Sequence, residues 1–269
     1  MLVLAAASAI ALFAGCGDDD EDEAGTASAE VELQARTEVA VDEDKGTKDP
    51  VGIEVLEELP QLQRASSDDS VPAIRGSAGL TIPEWLDTVN GDVAAYWQQS
   101  FNGSEYRYEA PFQEIFDRPV RTRCGGKVPV DAGPFYCELD QTIFLPVPFF
   151  AAQAKRFGDA GPAVIVAHEN AHHVQNLLGI FDKRRLKTIQ TELQADCLAG
   201  VWASSVLERG LIEPGDIGEI LGEVETSGDP PGTPVKQPGA HGSSELRAQA
   251  FVRGYEGGRP GDCPIPDVS

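Results

Sequence analysis

The chain of 269 residues is short of positive charge. It has 21 Lys and Arg residues against 44 Asp and Glu, which gives a formal net charge of -23. Such an acidic chain repels the phosphates of nucleic acids and of anionic lipids, so the sequence argues against a nucleic-acid partner. With 41% hydrophobic residues, however, the chain can still bury a core in one large domain or two small ones.

The sequence also lacks an N-terminal apolar run that could span a membrane. Residues 2–15 are apolar, but a transmembrane helix needs about 20 residues. The run ends in LFAGC, with small residues directly before Cys16, which resembles the lipobox of bacterial lipoproteins. This resemblance implies a signal peptide at 1–15, lipidation of Cys16 and a lipid anchor on the outer face of the bacterial cytoplasmic membrane. An ordinary secretory signal is the alternative, and either signal exports the protein.

Aromatic residues are absent from residues 17–78, which are rich in Asp, Glu, Ala, Ser and Thr. Such a segment cannot bury enough apolar surface to offset the entropy of ordering it. We therefore predict a disordered acidic tether at 16–78 and a folded domain at 79–269. More than half of the excess negative charge lies in residues 17–80.

The chain contains no Cys-x-x-Cys pair, so a zinc site made of thiolates is disfavoured. With Cys16 set aside, an even number of cysteines remains for an exported domain: Cys124, Cys137, Cys197 and Cys263. Two disulfides with three possible connectivities follow. We favour Cys124–Cys137, which closes a short loop, and this leaves Cys197–Cys263.

The order of predicted elements is a helix, then short strands, then mostly helices, which is an α+β pattern. The predicted helices are 83–101, 161–178, 187–208, 211–221 and 243–255. The predicted strands are 106–108, 119–122, 135–137 and 141–145.

Histidine is scarce, and three of the four histidines lie together in VAHENAHHVQ, residues 166–175. Within it, HENAH fits the pattern H-E-x-x-H. On a helix, the i, i+4 spacing puts His168 and His172 on one face, one turn apart, where both rings can bind one ion. Glu169 is rotated to the side and can reach a water on that ion. The alternative is a buried helix that happens to carry polar residues.

Two carboxylates on the next predicted helix complete the candidate site. Glu192 and Asp196 are again four residues apart. A catalytic zinc ion needs a third protein ligand and an open fourth position, and Glu192 can be that ligand after a loop reverses the chain. Asp196 is placed to accept a hydrogen bond from a liganding histidine. A solvated acidic face is the alternative, but residues 193–207 are otherwise largely small and apolar, so we predict one Zn2+.

This arrangement is the gluzincin pattern, and the chain resembles the neutral zinc metallopeptidase family of bacteria over about residues 80–263. The motifs that carry the resemblance are CG at 124–125, FYC at 135–137, FF at 149–150, the HExxH helix, ELQADC at 192–197, AGVWA at 199–203 and HGS at 241–243. The family helix usually reads HEVGHHVQ, so Asn170 and Ala171 replace its Val-Gly pair. The resemblance implies a zincin-like fold with a small mixed sheet, an active-site helix and a following glutamate helix.

The predicted site implies hydrolysis of amide bonds in a peptide or protein substrate. Zinc can lower the pKa of its water to about 7 and polarise a carbonyl. Glu169 would take the proton from that water and pass it to the leaving nitrogen. From the resemblance, the strand at 141–145 is expected to pair with an extended substrate.

Other polar residues have several possible roles. His241, in the loop before the last predicted helix, could hydrogen-bond the oxyanion, cap that helix or be exposed. Tyr136 or Tyr255 could serve the oxyanion instead. His173 faces away from the metal-binding face, so packing or a hydrogen bond is expected. Two arginines are predicted to be surface residues: Arg247 and Arg253.

Two classes of function follow from these predictions. The first is a membrane-anchored, extracytoplasmic zinc endopeptidase, which the presence of Glu169 favours. The second is a non-catalytic lipoprotein that holds a structural zinc and binds an envelope partner. A structural site usually has four protein ligands, and only three can be nominated here. A zinc amidase acting on cell-wall peptides is chemically similar to the first, and the sequence does not separate the two.

Overall fold

The computed structural model of the protein describes residues 79–183, 186–213 and 215–268, with only the backbone of residues 182 and 183. The predicted signal peptide at 1–15, the lipidation site Cys16 and the tether to residue 78 lie outside these residues. Within the described part, no helix is both long and apolar enough to cross a membrane.

The described residues form a mixed α+β domain. Its helices are α1 (Ile82–Ser100), α2 (Val147–Phe157), α3 (Ala160–Leu177), α4 (Ile180–Lys183), α5 (Thr188–Glu208), α6 (Asp216–Thr226) and α7 (Ser244–Gly257), followed by a 3-10 turn at Pro260–Asp262. Its strands are β1 (Phe112–Phe116), β2 (Val120–Thr122), β3 (Gly126–Val128), β4 (Phe135–Cys137) and β5 (Thr142–Pro146).

Two predictions of local structure were wrong, and four elements were not predicted: β1, β3, α2 and α4. Residues 106–108 form no strand; their aromatic rings pack on the core instead, and Tyr108 is 5% exposed beside Phe101. Helix α2 was not predicted, because it follows β5 directly and its VPFF start continues the apolar run of the strand. The helix predicted at 211–221 begins at Asp216, after a loop and Gly215 in a left-handed conformation.

A three-stranded sheet lies beside the helices in the order β1-β5-β4. Strand β5 pairs in parallel with β1 and antiparallel with β4, where Tyr136 lies opposite Ile143. Because β5 is the central strand, it has no free edge, and the prediction that it pairs with a substrate is wrong. Strand β4 occupies that edge of the sheet instead.

Two disulfides connect these elements in the pairing favoured from the sequence. Cys124, in the turn of the β2–β3 hairpin, is bonded to Cys137 at the end of β4. Cys197 of α5 is bonded to Cys263, which follows α7. The first bond ties the hairpin to the sheet, and the second ties the C-terminal segment to α5.

Helices α3 and α5 are buried on most of their faces and form the centre of the domain. Their many small and β-branched residues let neighbouring helices approach them from several sides. Asn170, at a position where the related helix usually has valine, is fully buried. Its Nδ2 donates to Asn90 Oδ1 of α1 at 2.8 Å and to the Val166 carbonyl at 2.9 Å. The polar substitution is therefore accommodated by a hydrogen bond to α1.

Two glycines let α5 and α7 come into backbone contact. A Cβ on Gly254 of α7 would lie 1.7 Å from the Cys197 carbonyl oxygen, and one on Gly200 of α5 would lie 2.1 Å from the Phe251 carbonyl oxygen. Only glycine fits at both positions. The close approach brings the start of α7 against the part of α5 that carries the predicted site.

We predict that Gly254→Ala lowers the free energy of unfolding by about 1–3 kcal/mol or more, because its Cβ forces α5 and α7 apart. Gly91→Ala is the matched control. Gly91 is exposed within α1, and a Cβ added there would have nothing within 4 Å, so alanine should stabilise the helix by about 1 kcal/mol. Urea denaturation measures the free energy of unfolding of both variants, which should fall for Gly254→Ala and rise for Gly91→Ala. Equal changes in the two variants would contradict the packing argument.

Candidate metal centre

Helices α3 and α5 bring three candidate ligands together. His168 and His172 lie one turn apart on α3, and Glu192 faces them from the first half of α5. The Glu192 carboxylate lies 3.2 Å from His168 Nε2 and 3.4 Å from His172 Nε2. One ligand atom from each of the three residues lies within 4.8 Å of the others. Both histidines thus present Nε2 to the same point.

His168 is oriented by a charged partner on α5. Its Nδ1 lies 2.8 Å from Asp196 Oδ1, as the spacing of Glu192 and Asp196 predicted. Asp196 also accepts hydrogen bonds from Arg247 Nε at 2.8 Å and Nη2 at 2.7 Å. Arg247 Nη1 donates to the Ser227 carbonyl at 2.8 Å. A two-point contact of this kind fixes the carboxylate, and through it the imidazole ring.

The prediction that Arg247 is a surface residue was wrong. Its side chain is buried at the start of α7 and reaches Asp196 because the Gly200 and Gly254 contacts hold α7 against α5. Sequence reasoning missed it because no local pattern links residues 196 and 247. The one available signal was the buried carboxylate itself, since a buried charge needs a partner. Arg253 is exposed, as expected.

The pKa values in the site follow from burial opposed by close charges. Burial would lower the pKa of His168, but the charge and hydrogen bond of Asp196, followed by those of Glu192, raise it to about 10. Burial would raise the pKa of Glu192, but the two histidines, His172 first, lower it well below its usual range. For Asp196, burial is likewise outweighed by the charges of Arg247 and His168, which lower its pKa. Negative and positive groups thus stabilise each other across the α3–α5 interface.

Glu169 has a different environment. Burial raises its pKa, while the two histidine charges and a hydrogen bond from the Tyr136 backbone act in the opposite direction. The residue lies in the same cleft as the candidate ligands but is not among the three that converge. Its carboxyl group is thus buried at the cleft, beside the candidate ligands.

His172 is oriented by an amide that sequence reasoning missed. Its Nδ1 lies 2.8 Å from Gln175 Oε1, one turn further along α3. The i, i+3 spacing of the two residues was visible in the sequence, but glutamine at such a spacing is too common to indicate a role. Because Gln175 is fully buried in the structure, we assign it a role in orienting His172.

A cleft of about 390 Å3 opens above the site. Four of its lining residues are the three candidate ligands and the glutamate beside them: His168, His172, Glu192 and Glu169. Apolar side chains form much of the remaining wall: Pro134, Phe135, Phe149, Val164, Ile165 and Val224. A polypeptide segment in this cleft would lie against the ligand cluster, Glu169 and an apolar wall together.

His241 lines the same cleft from a loop that is tied at its ends. The backbone N–H groups of His241 and Gly242 both donate to Asp229 Oδ2 at 2.8 Å. The ring Nδ1 lies 3.6 Å from Asp229 Oδ1, and the side chain is 51% exposed. The capping alternative is wrong, because Ser243 caps α7 by accepting from the Leu246 N–H.

Tyr136 and Tyr255 do not present a hydroxyl to this site. The Tyr136 hydroxyl bonds His173 Nδ1 at 3.0 Å and accepts from Asn176 Nδ2 at 2.8 Å, and His173 Nε2 donates to the Glu109 carbonyl at 2.7 Å. Since His173 Nε2 carries the proton, its Nδ1 accepts from the hydroxyl. Tyr136 therefore has both its donor and its acceptor engaged, and Tyr255 is not among the residues that line the cleft. His173 serves as a hydrogen-bonding residue, as expected.

The donor set fits a zinc ion. Two imidazole nitrogens and one carboxylate converge within 4.8 Å, each histidine has its other nitrogen occupied, and the fourth side faces the cleft. Three nitrogen and oxygen ligands with an open position are typical of catalytic rather than structural zinc sites. The geometry thus defines a candidate metal centre of the catalytic type.

The comparison with known families identifies the class. The chain belongs to the family described as "Putative neutral zinc metallopeptidase", whose sequence model matches residues 47–265. The resemblance drawn from the motifs is thereby confirmed. The match starts within the predicted tether, so it includes residues 47–78 as well as the described domain.

Curated relatives come from Escherichia coli and from Mycobacterium. The chain is 34% identical over 188 residues to "Uncharacterized protein YpfJ" of Escherichia coli (strain K12), covering 62% of this chain and 65% of the relative. It is 34% identical over 198 residues to "Uncharacterized protein Rv2575" of Mycobacterium tuberculosis, covering 64% of this chain and 66% of the relative. The chain therefore spans about two thirds of the length of these relatives. No solved structure matches it.

A buried glutamate lies next to the cleft wall on α6. Glu223 is 1% exposed; its Oε1 accepts from Gln153 Nε2 at 2.9 Å, and its Oε2 has no hydrogen-bond partner among the described residues. Burial raises its pKa to about 7, against the weaker opposing charges of Arg156 and Arg247. The protonated form is therefore the stable one at slightly acidic pH.

We predict that Glu223→Gln is more stable than the wild type at pH 8 but similar to it near pH 4.5. The unfolded carboxyl ionises near its usual value of 4.5, whereas the folded one ionises near 7. Between these values the folded state binds the extra proton, so the wild-type free energy of unfolding falls as the pH rises. Urea denaturation across this range, with the exposed Glu225→Gln as control, measures the difference. Parallel curves for wild type and Glu223→Gln would contradict it.

Proposed function

We propose that the protein is a zinc-dependent endopeptidase that acts outside the cytoplasm while anchored to the membrane by a lipid on Cys16. The observation that carries the proposal is the position of Glu169. It is a buried acid beside a three-ligand cluster, and it lines a cleft of about 390 Å3 together with those ligands. A purely structural metal site has no use for such a base. Membership of the zinc metallopeptidase family supports the same activity.

In this proposal, His168, His172 and Glu192 hold one zinc ion through Nε2, Nε2 and a carboxylate oxygen. Asp196 keeps the proton of His168 on Nδ1, so its Nε2 lone pair points to the ion, and Arg247 keeps Asp196 in place. When bound, zinc supplies Lewis-acid activation of a water and of the scissile carbonyl.

Glu169 acts first as a base and then as an acid. It takes a proton from the attacking water and delivers that proton to the leaving amine nitrogen, so it ends the cycle ionised as it began. The apolar wall around it excludes bulk water once a substrate is bound.

Strand β4 is the element we propose to bind the substrate backbone. It lies at the edge of the sheet, Phe135 and Tyr136 line the cleft, and the Tyr136 backbone N–H is directed at Glu169. An extended peptide could pair with this edge as an added strand, with its side chains in the apolar pockets. The hydrogen bonds of the Tyr136 hydroxyl to His173 and Asn176 hold the strand against α3.

His241, which lines the same cleft, is the proposed electrophile. Its ring is exposed to the cleft, and Asp229 fixes its loop through two backbone hydrogen bonds. A hydrogen bond from this imidazole to the oxyanion would stabilise the tetrahedral intermediate. The hydroxyl of Tyr136 is already engaged, which favours His241 for this role.

The first functional prediction concerns Glu169. Zinc-loaded full-length protein should cleave members of a mixed peptide library, while Glu169→Gln should bind one zinc per chain and lose about 10²- to 10⁴-fold in kcat/KM. Metal content by elemental analysis and cleavage products by mass spectrometry provide the two readouts. His168→Ala and His172→Ala should lose both the zinc and the activity.

Different outcomes separate the alternatives. Bound zinc without cleavage by the wild type would favour a non-catalytic lipoprotein that binds an envelope partner. Cleavage of cell-wall peptides alone would favour an amidase. Equal cleavage by the wild type and Glu169→Gln would contradict the proposed role of Glu169 as the base.

The second functional prediction concerns His241. His241→Phe removes the proposed oxyanion donor and should lower kcat by about 10²- to 10³-fold with little change in KM, because the hydrogen bond forms mainly in the transition state. Lys236→Ala, an exposed substitution in the same loop, is the control and should leave both parameters unchanged. Steady-state kinetics on the best library peptide make the measurement; a change in KM alone would assign His241 to substrate binding.

A further inference from the structure

A line of buried amides runs from the second candidate ligand to the C-terminal segment. His172 Nδ1 contacts Gln175 Oε1 at 2.8 Å. Gln175 Nε2 donates to the Thr191 carbonyl at 2.8 Å and to Gln194 Oε1 at 3.0 Å. Gln194 Nε2 then donates to the Cys263 carbonyl at 3.0 Å. Gln175, Gln194 and Cys263 are all fully buried, so water does not replace any of these contacts.

Two backbone carbonyls, those of Cys263 and Thr191, fix the direction of the hydrogen bonds in this line. A backbone carbonyl can only accept, so the amide nitrogen of Gln194 must face Cys263 and its oxygen must face Gln175. The Thr191 carbonyl independently requires the amide nitrogen of Gln175. Gln175 Oε1 is then left facing His172, which must carry its proton on Nδ1.

That arrangement selects the form of His172 that can bind a metal. With the proton on Nδ1, the lone pair of the neutral ring lies on Nε2, which is the atom directed at Glu192 and the candidate ion. His168 reaches the same state through the charged pair of Asp196 and Arg247. For His172, neutral amide groups keep the proton on Nδ1.

The segment at the end of this line of hydrogen bonds is attached covalently to α5. Cys263 lies in the segment that follows α7, and its disulfide to Cys197 ties that segment to α5. Further along, Ile265 is 1% exposed and the Pro266 carbonyl accepts from Gln190 Nε2 at 2.8 Å. The carbonyl that orients Gln194 is therefore held in place by the disulfide and by the contacts of this segment with α5.

We propose that Gln175 and Gln194 form a relay that positions His172 for zinc, and that the Cys197–Cys263 disulfide holds the end of the relay. The inference rests on the zinc site of the proposed function but not on peptide cleavage. It makes the C-terminal segment part of the metal site, although no side chain in the described part of that segment lines the cleft. Loss of this disulfide weakens zinc binding, whereas loss of the other disulfide does not.

The test measures zinc affinity of the full-length protein by competition with a chromophoric chelator. Gln175→Met and Gln194→Met keep the side-chain length but remove the hydrogen bonds, and each should weaken zinc binding by about 10- to 100-fold. Because the two residues act in series, the double variant should lose no more than Gln175→Met alone. Gln153→Met is the matched control, since it removes an amide that bonds Glu223 and should leave zinc affinity unchanged.

A second arm compares the two disulfides. Replacing Cys197 and Cys263 with alanine should weaken zinc binding, whereas replacing Cys124 and Cys137 should not. Circular dichroism of each zinc-free variant establishes that it is folded, and if the first pair of substitutions prevents folding, the glutamine variants decide the question. Folded Gln175→Met and Gln194→Met variants that bind zinc within about twofold of the wild type, far less than the expected loss, would overturn the relay.

The outcomes also separate this proposal from the proposed function. Wild-type protein that binds zinc with the expected losses in the variants, yet cleaves no peptide, supports the relay and contradicts the peptidase. If the wild-type protein cleaves peptides and the variants keep its zinc affinity, the result supports the peptidase and contradicts the relay. A wild-type chain that takes up no zinc contradicts both.

Discussion

The three candidate metal ligands depend on one constraint, which is that polar side chains buried around the α3–α5 interface must be paired within the protein. An unpaired charge or amide at this buried interface would cost several kcal/mol. His168 and His172 meet Glu192, Asp196 meets Arg247, and Gln175 meets Gln194. The same pairing that satisfies these groups also aims two imidazole nitrogens and a carboxylate at one point. The contacts that pair these groups therefore also form the candidate metal centre.

The two histidines reach equivalent states by different means. His168 is held by an ion pair, and His172 is held by neutral amides that end on a backbone carbonyl. One consequence is that the carboxylate behind His168 brings a negative charge into the interface, and Arg247 balances it. Another is that distant parts of the chain help to orient the ligands: α7 does so through Arg247, and the C-terminal segment does so through Cys263. The close contact of α5 with α7 at Gly200 and Gly254 has its functional reason here.

Patterns within one element were predicted well, whereas relations between elements were predicted only in part: the two disulfide pairings and the approach of Glu192 to the histidines are confirmed. The HExxH helix, the following glutamate helix and the partnership of His168 with Asp196 all follow from i, i+4 spacing, because a helix puts such residues on one face. Arg247 was misplaced on the surface, and β5 was taken for an edge strand. Both errors concern which element lies next to which. In the same way, α2 was missed because its first residues continue the apolar run of β5, and only the turn of the chain at Pro146 separates them.

The sequence by itself determined the chemistry available to this protein. It supplied an acidic chain, a helix with two histidines and a glutamate, a second helix with two carboxylates, and the motifs of a zinc metallopeptidase family. Tertiary structure decided which groups act together. It put β4 rather than β5 at the edge by the cleft, engaged the Tyr136 hydroxyl and left His241 on the rim, and brought Arg247, Gln194 and Cys263 behind the ligands. Helical spacing is a local property that residue numbers reveal. The contact of Arg247 with Asp196 joins residues 51 positions apart, and that of Gln194 with Cys263 joins residues 69 positions apart. Such contacts arise only when the helices and the sheet pack together.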